Sequence, residues 1–461
     1  MNSMLGAVFR NRRPAPFYPL RFLCKLYVRN SIVFCTYQPP QILFLIYIDI
    51  QQLHKSRGKN WRLQSTVCVF CSSELNAVND MASQVHKNVQ EYYGSRLETS
   101  EDLQTSASCT MPARPMSKSA LDALKLVHPE VSKRYFGCGI VVPEKLTGCK
   151  VLDLGSGSGR DCYILSRLVG KSGHVIGIDM TEELISASRK YIKYHQEAFG
   201  YEEPNTTFVQ GYLERLGEAG IQSDSLDVVV SNCVMCLCPD KKAVMKEAYR
   251  VLKEGGEFYF SDMYADKVVP EHLKEDPVLW REGMGGALYW RDLIALVHDI
   301  GFSTPRLLAA SHIAVHNAEL LRKTDGIRYA SGTYRFFKLP KSSVTVGAEV
   351  TYKGTVPDHS DQLDFDASHS FQRDVPLPVD AEAAAVLRSS RYSTDFLIQD
   401  SESQATSQDH APQYCHLNPF LLADKLGSSI RQCSKTEEKA GCDGAPPGGC
   451  EATNSTSSCG K

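Results

Sequence analysis

Two hydrophobic periodicities alternate along residues 146–302 of the chain. Short runs of β-branched and other apolar residues, typical of buried strands, occur at 150–154, 175–179, 206–210, 226–231 and 256–262. Stretches with apolar residues at helical spacing, such as 182–195 and 241–253, lie between them. This alternation predicts an α/β fold with a doubly wound, Rossmann-like sheet of mostly parallel strands.

The pattern changes on both sides of this sheet. Residues 81–145 carry apolar residues at helical spacing, so helical N-terminal elements are expected there. Residues 303–400 show shorter alternating segments, which predict a smaller, β-containing C-terminal module of the α+β type. Residues 401–461 carry cysteines among Gly, Ser, Thr and Pro, a composition typical of a partly disordered tail.

Residues 1–80 form an atypical extension that we predict to be disordered. Residues 1–48 contain arginine and lysine but no aspartate or glutamate, a composition like that of an organelle transit peptide. Prolines such as Pro14 and Pro16 interrupt any amphipathic helix and favour an unstructured extension instead. The apolar run at 41–48 is far shorter than the roughly 20 residues that span a bilayer, so no membrane helix is expected.

The composition narrows the class of protein. A net charge of −2 over 461 residues argues against nucleic acid as the main partner. Sixteen cysteines are spread over this long chain without a secretory signal, which predicts free thiols in a reducing compartment. We expect a cytosolic monomer with no membrane partner.

A glycine-rich turn follows the first predicted strand. It has three glycines at alternate positions, namely Gly155, Gly157 and Gly159. Glycine permits positive φ angles and lets a ligand approach the bare backbone. Asp179 ends the next strand, where a carboxylate can accept hydrogen bonds from the hydroxyls of a ribose. The turn therefore predicts a nucleoside cofactor.

Details of the turn indicate which nucleoside. The dinucleotide fingerprint needs glycine at position 160, where this chain has Arg160. The form Asp-x-Gly-x-Gly-x-Gly, which begins at Asp153, resembles the first motif of the class I S-adenosylmethionine-dependent methyltransferases. The resemblance implies S-adenosylmethionine as the cofactor, and an acidic residue suits this cationic ligand. It also implies cofactor contacts from four further residues: Met180, Leu213, Glu214 and Asn232.

Three cysteines crowd the end of the fourth predicted strand. Cys233, Cys236 and Cys238 follow the apolar run at 226–230 within a few residues. In an open α/β sheet, ligands bind at the edge where the strands end. Cysteine is above all a soft ligand and a nucleophile, so this edge suits soft-ligand chemistry better than acid–base chemistry.

The chain resembles the arsenite methyltransferases from about Met81 to its end. Matching segments include Gln90-Glu91-Tyr92-Tyr93-Gly94, Arg134-Tyr135-Phe136-Gly137-Cys138-Gly139, Ser231-Asn232-Cys233 and Gly286-Ala287-Leu288-Tyr289-Trp290. The resemblance implies methyl transfer from S-adenosylmethionine to trivalent arsenic, supplied as arsenite or its thiol conjugates, with mono- and dimethylated products. Arsenic(III) held by thiolates carries its own lone pair, so this reaction needs no general base.

The resemblance also assigns roles to single cysteines. Cys138 and Cys233 match two arsenic-binding thiols of the family. Cys109 matches its redox cysteine, which forms a disulfide during turnover that thioredoxin or glutathione reduces. A free loop thiol is the alternative for Cys109.

One position departs from the family pattern. Gly283 stands where the family places its third arsenic-binding cysteine, and the adjacent Met284 offers only a neutral thioether. Cys236 lies three residues after Cys233 and shares its face if a helix begins at once. We therefore hypothesise that Cys236 completes the site. The alternative is that both Cys236 and Cys238 are incidental.

Two other functions remain open at this point. A methyltransferase for a small organic acceptor, such as a quinone or a sterol, would have a large apolar pocket with Cys138 and Cys233 pointing away from it. The other is a protein that binds or sequesters metalloids and has lost methyl transfer because Gly283 replaces the family's third cysteine.

Overall fold

The structure is a computed structural model that describes part of the 461-residue chain: residues 26–29, 32–36, 43–47, 82–97, 99, 102, 103, 105, 115–341, 346–401 and 414–426. The chain divides into two compact units, residues 1–89 and residues 90–461. Within the described ranges, no helix has the length and apolar character that crossing a bilayer requires.

The N-terminal unit contains a small antiparallel sheet. Its strands, in spatial order, are β1 (Leu26–Arg29), β2 (Ile32–Thr36) and β3 (Leu43–Tyr47). The sequence predicts disorder for residues 1–80, and these three strands differ from that prediction. Each strand is rich in β-branched or aromatic residues, whose preference for strands opposes the prolines that suggested disorder. The rest of that prediction lies outside the described residues.

Helices precede the main sheet, as the sequence predicts. They are α1 (82–91), which continues into a π-helical turn (Tyr92–Arg96), α2 (Lys118–Lys125) and α3 (Pro129–Lys133). The Ser117 hydroxyl accepts a hydrogen bond from the N–H of Ala120 and so caps the first turn of α2. Cys109 lies outside the described residues.

The middle of the chain forms an α/β unit around an eight-stranded sheet. In chain order its elements are β4 (Lys150–Leu154), α4 (Arg160–Val169), β5 (His174–Asp179), α5 (Glu182–Arg189), α6 (Ile192–Phe199), β6 (Thr206–Gln210), β7 (Leu226–Asn232), α7 (Lys241–Val251), β8 (Leu252–Ala265), α8 (Glu271–Lys274), α9 (Pro277–Arg281), β9 (Leu288–Tyr289), α10 (Trp290–Ile300), β10 (Arg306–Ile313), α11 (Ala318–Lys323) and β11 (Tyr329–Phe337). All five strands predicted from the hydrophobic pattern are present, and β4 and β6 have the predicted bounds.

The strand order places a crevice between β4 and β7. The order is β10-β11-β8-β7-β4-β5-β6, and β9 lies beside β8. The strands from β8 to β6 run parallel, whereas β11 and β10 are antiparallel additions. The chain leaves β4 through β5 and β6 and returns to β7 on the other side of β4, which is where open α/β sheets bind their ligands. The predicted doubly wound, Rossmann-like fold is confirmed.

The sheet continues past the predicted domain boundary at residue 302. β11 pairs antiparallel with β8 from Phe337 opposite Glu257 to Tyr329 opposite Ala265, and all of β11 is buried. This pairing covers an edge that β8 would otherwise expose. β10 and β11 therefore belong to the main sheet, and the C-terminal module begins after them.

The C-terminal module is a smaller β-containing unit, as expected. Its elements are β12 (Ala348–Tyr352), β13 (Gln362–Asp364), β14 (Ser370–Gln372), β15 (Pro376–Val379), α12 (Ala381–Ser389) and β16 (Phe396–Asp400). Farther along the chain, α13 (Pro419–Lys425) packs on β10 and β11 of the main sheet. One sheet has the order β15-β12-β16, and β13 pairs with β14. The buried guanidinium of Arg335 on β11 joins the module to the main sheet through Glu257, Glu144 and the Tyr392 hydroxyl.

Candidate active site

The glycine turn after β4 combines tight packing with one open position. Gly155, Gly157 and Gly159 all have positive φ, at 71°, 53° and 89°. A Cβ at Gly155 would lie 2.5 Å from a methyl group of Val234, and one at Gly159 would lie 2.7 Å from the Phe208 ring. A Cβ at Gly157 would meet nothing within 4 Å. Gly157 is thus the place where bare backbone faces open space that a ligand can occupy.

Asp179 holds this turn in place. Its carboxylate accepts hydrogen bonds from the N–H of Gly157 at 3.0 Å and from the N–H of Thr181 at 2.8 Å. Burial raises the pKa of Asp179, and these hydrogen bonds oppose the shift. The residue lies at the carboxyl end of β5, next to the glycine turn, where the sequence predicts it.

Asp153 is a second buried carboxyl group at this edge. It is 3% exposed, and its Oδ2 accepts a hydrogen bond from the Cys162 thiol at 3.1 Å. Burial first, and then the nearby Asp161 carboxylate, raise the pKa of Asp153 to about 8. The group is therefore protonated at neutral pH until a cation binds beside it.

The turn fits a cationic nucleoside. Next to Gly157, the buried Ser156 hydroxyl has no hydrogen-bond partner among the described residues. An unpaired buried hydroxyl costs free energy unless a ligand supplies its partner. Two acidic groups, Asp153 and Asp179, border the same turn and suit a positive charge.

Three of the other predicted cofactor residues follow β5 and β6. The Met180 carbonyl accepts hydrogen bonds from the side-chain amides of Gln90 at 2.9 Å and of Gln210 at 3.3 Å. Leu213 begins a 3₁₀ turn and packs in the hydrophobic core. Glu214 is half-buried on the same turn. Their predicted contacts with the cofactor stay a prediction.

Three thiols converge at the carboxyl ends of β7 and β8. Cys138, Cys233 and Cys236 pack in one cluster with Met263 and Met284. Hydrogen bonding with Cys138, then with Cys236, and burial raise the pKa of Cys233 well above its ordinary value. Burial raises the pKa of Cys236 to about 11, although its hydrogen bond with Cys233 opposes the shift. Cys233 and Cys236 are therefore neutral thiols at pH 7 in the free site.

Cys233 adopts an unusual backbone conformation. Its φ angle is +60°, in the left-handed region that residues other than glycine rarely occupy. The N–H of Cys233 donates to the Ser261 carbonyl at 2.8 Å, which holds the residue beside β8. Strained residues of this kind cluster at functional sites.

Asn232 ties the loop that carries Cys138 to the end of β7. Its amide nitrogen donates to the Tyr135 hydroxyl at 2.6 Å, to the Gly139 carbonyl at 3.0 Å and to Asp161 at 2.9 Å. Its amide oxygen accepts from the N–H of Gly139 at 3.2 Å. Asn232 is predicted to contact the cofactor, and that contact stays a prediction. The contacts described here position Cys138.

Cys238 lies away from this cluster. Its thiol is buried in the main core and donates to the Val234 carbonyl at 3.4 Å. Cys149 and Cys162 are also buried away from it. Of the three cysteines that follow β7, Cys233 and Cys236 meet Cys138, and Cys238 does not.

The sequence analysis missed two residues at the site. Both oxygens of the Asp262 carboxylate accept backbone hydrogen bonds, from Met235 at 2.8 Å and from Cys236 at 3.2 Å. Tyr93 donates to the Arg281 carbonyl at 3.0 Å, and its pKa is raised well above the ordinary value by burial, then by Glu282, with smaller effects of the neighbouring Cys236 and Cys233. Asp262 ends the fifth predicted strand, so the rule that identified Asp179 could also have identified Asp262.

Known proteins resemble this chain over most of its length. Residues 145–301 match the family model of a methyltransferase domain, and residues 345–450 match that of an arsenite methyltransferase C-terminal domain. The arsenite methyltransferase of Mus musculus is 52% identical over 367 residues, which cover 79% of this chain and 97% of that protein. The Homo sapiens protein of the same name is 47% identical over 366 residues, with 78% and 97% covered.

A solved structure of an arsenic methyltransferase is also similar to this chain. The arsenic (III) S-adenosylmethionine methyltransferase from Chlamydomonas reinhardtii is 40% identical and aligns with a TM-score of 0.60. The alignment covers 63% of this chain and 98% of that one. The resemblance inferred from the motifs is confirmed, and the chain belongs to the arsenite methyltransferase family.

Proposed function

We propose that this protein transfers methyl groups from S-adenosylmethionine to trivalent arsenic held by cysteine thiolates. The products are mono- and dimethylated arsenicals. The observation that carries the proposal is the convergence of Cys138, Cys233 and Cys236 at the sheet edge beside the glycine turn. This arrangement argues against a small organic acceptor, for which Cys138 and Cys233 would point away from the pocket.

The cofactor binds at the turn formed by Gly155, Gly157 and Gly159. S-adenosylmethionine, when bound, would supply an electrophilic methyl group that the lone pair of trivalent arsenic can attack without a general base. Asp179 keeps the turn in shape, and its position at the end of β5 supports a role in binding the ribose. Asp153 compensates the positive charge once it has lost its proton.

Cys138 and Cys233 bind the arsenic. In arsenous acid each arsenic–oxygen bond can be exchanged for an arsenic–sulfur bond, and the thiol proton leaves with the hydroxide as water. Neutral thiols suit this exchange because the substrate brings its own proton acceptor. The raised pKa of Cys233 is consistent with such a site. Asn232 and Ser261 hold the two thiols in place through the backbone of their loops.

Thiol reduction completes the cycle. Methyl transfer uses the arsenic lone pair, so two electrons must return for arsenic to become trivalent again. A pair of thiols supplies them and forms a disulfide, which thioredoxin or glutathione reduces. We assign the redox thiol to Cys109 on its resemblance to the family. The free thiols of the described cysteines support a reducing compartment, the cytosol.

Incubation with arsenite, labelled S-adenosylmethionine and a thiol reductant tests the proposal. We expect labelled mono- and dimethylarsenicals from the unmodified protein, and no product from Cys233→Ser. A parallel reaction with a quinone acceptor serves as a control and should stay unlabelled. Arsenite binding without any methylated product would contradict the proposal and favour a sequestering protein.

A further inference from the structure

The space beside Gly283 is filled by another residue's thiol. Gly283 has a φ angle of +82°, and a Cβ built there would lie 3.0 Å from the Cys236 Sγ. The next nearest atoms are the Met263 Cε at 3.5 Å and the Cys236 Cβ at 3.7 Å. A side chain at position 283 would therefore press against the Cys236 thiol.

The backbone fixes Cys236 firmly in that space. The residue lies in a short 3₁₀ turn, Met235–Leu237, whose first two N–H groups donate to the Asp262 carboxylate. Helix α9 packs directly on this turn, because the Trp280 indole N–H donates to the Leu237 carbonyl at 3.1 Å. A Cβ at Gly286 would overlap the Cys236 carbonyl oxygen, so only glycine allows this approach.

The Cys236 thiol also lies next to the Cys233 thiol. The ligand atoms of Cys233, Cys236 and Asp262 are all within 4.8 Å of one another. Cys138 packs in the same cluster, and hydrogen bonding with both Cys138 and Cys236 raises the pKa of Cys233. Cys236 is 2% exposed, which keeps its sulfur from solvent.

The other polar and soft groups nearby are less suitable ligands. Met284 is fully buried in the same cluster, but a neutral thioether cannot neutralise arsenic(III). Asp262 is a hard oxygen ligand, and its oxygens accept backbone hydrogen bonds from Met235, Cys236 and Met263. Among the described residues of this cluster, Cys236 is the remaining group that can become a third thiolate.

We propose that Cys236 is the third arsenic ligand of this protein and takes the place that Gly283 leaves open. This inference rests on the proposed function. With arsenous acid, three arsenic–oxygen bonds break and three arsenic–sulfur bonds form, to Cys138, Cys233 and Cys236. The three thiol protons leave with the three hydroxides as water, and no electrons are exchanged.

X-ray absorption at the arsenic edge of the full chain with bound arsenite counts the sulfur neighbours directly. We expect three sulfur neighbours in the unmodified protein and two, plus one oxygen, in Cys236→Ser. The arsenite affinity, followed by tryptophan fluorescence, should fall at least about tenfold, since even groups that only support a ligand contribute that much. Cys238→Ser is the matched control, and it should keep three sulfur neighbours and the original affinity.

A second variant separates ligation from a structural role. In the double variant Cys236→Ser with Gly283→Cys, a thiol returns to nearly the same volume from the other side. Three sulfur neighbours should reappear. A count that remains at two would contradict the inference that a thiol at position 236 and one at position 283 supply the same ligand. S-adenosylmethionine affinity, measured in parallel, should be unchanged in every variant and shows that each is folded.

The outcomes distinguish this inference from the proposed function. If Cys236→Ser keeps three sulfur neighbours and full affinity while methylation continues, Cys236 is not a ligand and the proposed function stands. If the unmodified protein binds no arsenic through sulfur, both proposals fail.

Discussion

Cys233 and the glycine turn are the parts of this site that are most readily predicted from the sequence. Both could be predicted from the sequence, because each follows a short apolar strand and the ends of parallel strands meet at one edge. The sequence led to the hypothesis that Cys236 joins Cys233, but the way in which Cys236 is held there could not be predicted. It depends on a carboxylate from Asp262, 26 residues farther along the chain, and on the loop around Gly283. Such long-range contacts leave no local pattern in the sequence.

The affinity for S-adenosylmethionine should depend on the protonation of Asp153. Burial raises the pKa of this group to about 8, so below that pH the free protein holds a proton that a bound cation expels. The affinity should therefore rise between pH 6 and pH 8, by at most about tenfold per pH unit, and level off above. Equilibrium binding at several pH values measures this. Asp153→Asn, the control, should bind with a flat profile; a flat profile in the unmodified protein would refute the prediction.

Arsenite binding near pH 7 should release no net protons. The pKa values of Cys233 and Cys236 are raised above their ordinary value, so both thiols are neutral and their protons leave within water. Cationic metals, in contrast, displace thiol protons into the buffer. Calorimetry in two buffers of different ionisation enthalpy should give the same heat. A difference equal to one or more protons per arsenic would show that the site contains thiolates before binding.

Helices and strands position these residues. Some of these elements could be predicted from the sequence, and others could not. The five parallel strands were predicted because each is a compact apolar run. The assignment of β10 and β11 to the same sheet was not predicted, since antiparallel pairing with β8 joins segments more than 60 residues apart. The short turn Met235–Leu237 was expected as a possible helix start, and it is a single 3₁₀ turn.

Asp262→Asn tests how that turn is held. The two carboxylate oxygens accept backbone hydrogen bonds from Met235, Cys236 and Met263, and asparagine replaces one of these oxygens by an amide nitrogen, which cannot accept a hydrogen bond. We expect the free energy of unfolding to fall by about 1–3 kcal/mol and the arsenite affinity to fall with it. Denaturant unfolding and arsenite titration measure the two effects. Asp240→Asn, which retains a good helix cap for α7, should change neither, and an unaltered Asp262→Asn would rule out this role.

At the scale of the whole molecule, one buried charge cluster joins the main sheet to the C-terminal module. Arg335 is fully buried and pairs with Glu257 and Glu144, while Arg391 also pairs with Glu257. The module was predicted from its change of pattern, but this connection was not. It brings together residues that are 191 positions apart for Arg335 and Glu144.

Arg335→Met should destabilise the protein strongly. Removing the guanidinium takes one ion-pair partner from each of two buried carboxylates, Glu257 and Glu144, a change that costs about 3–5 kcal/mol in comparable cases. Chemical denaturation measures the loss. Arg328→Met removes an exposed ion pair with Asp266 and should cost less than about 1 kcal/mol. Equal effects of the two substitutions would contradict the role of the buried cluster.

The close contact between position 283 and the Cys236 sulfur affects which segments of the chain can accept substitutions without loss of an arsenic ligand. If the arsenic ligands come from the Cys138 loop and the exit of β7, the loop after α9 has only to pack on them. Substitutions in that loop then alter how the site is covered and leave the number of ligands unchanged. Changes in substrate access can accumulate there separately from changes in arsenic coordination.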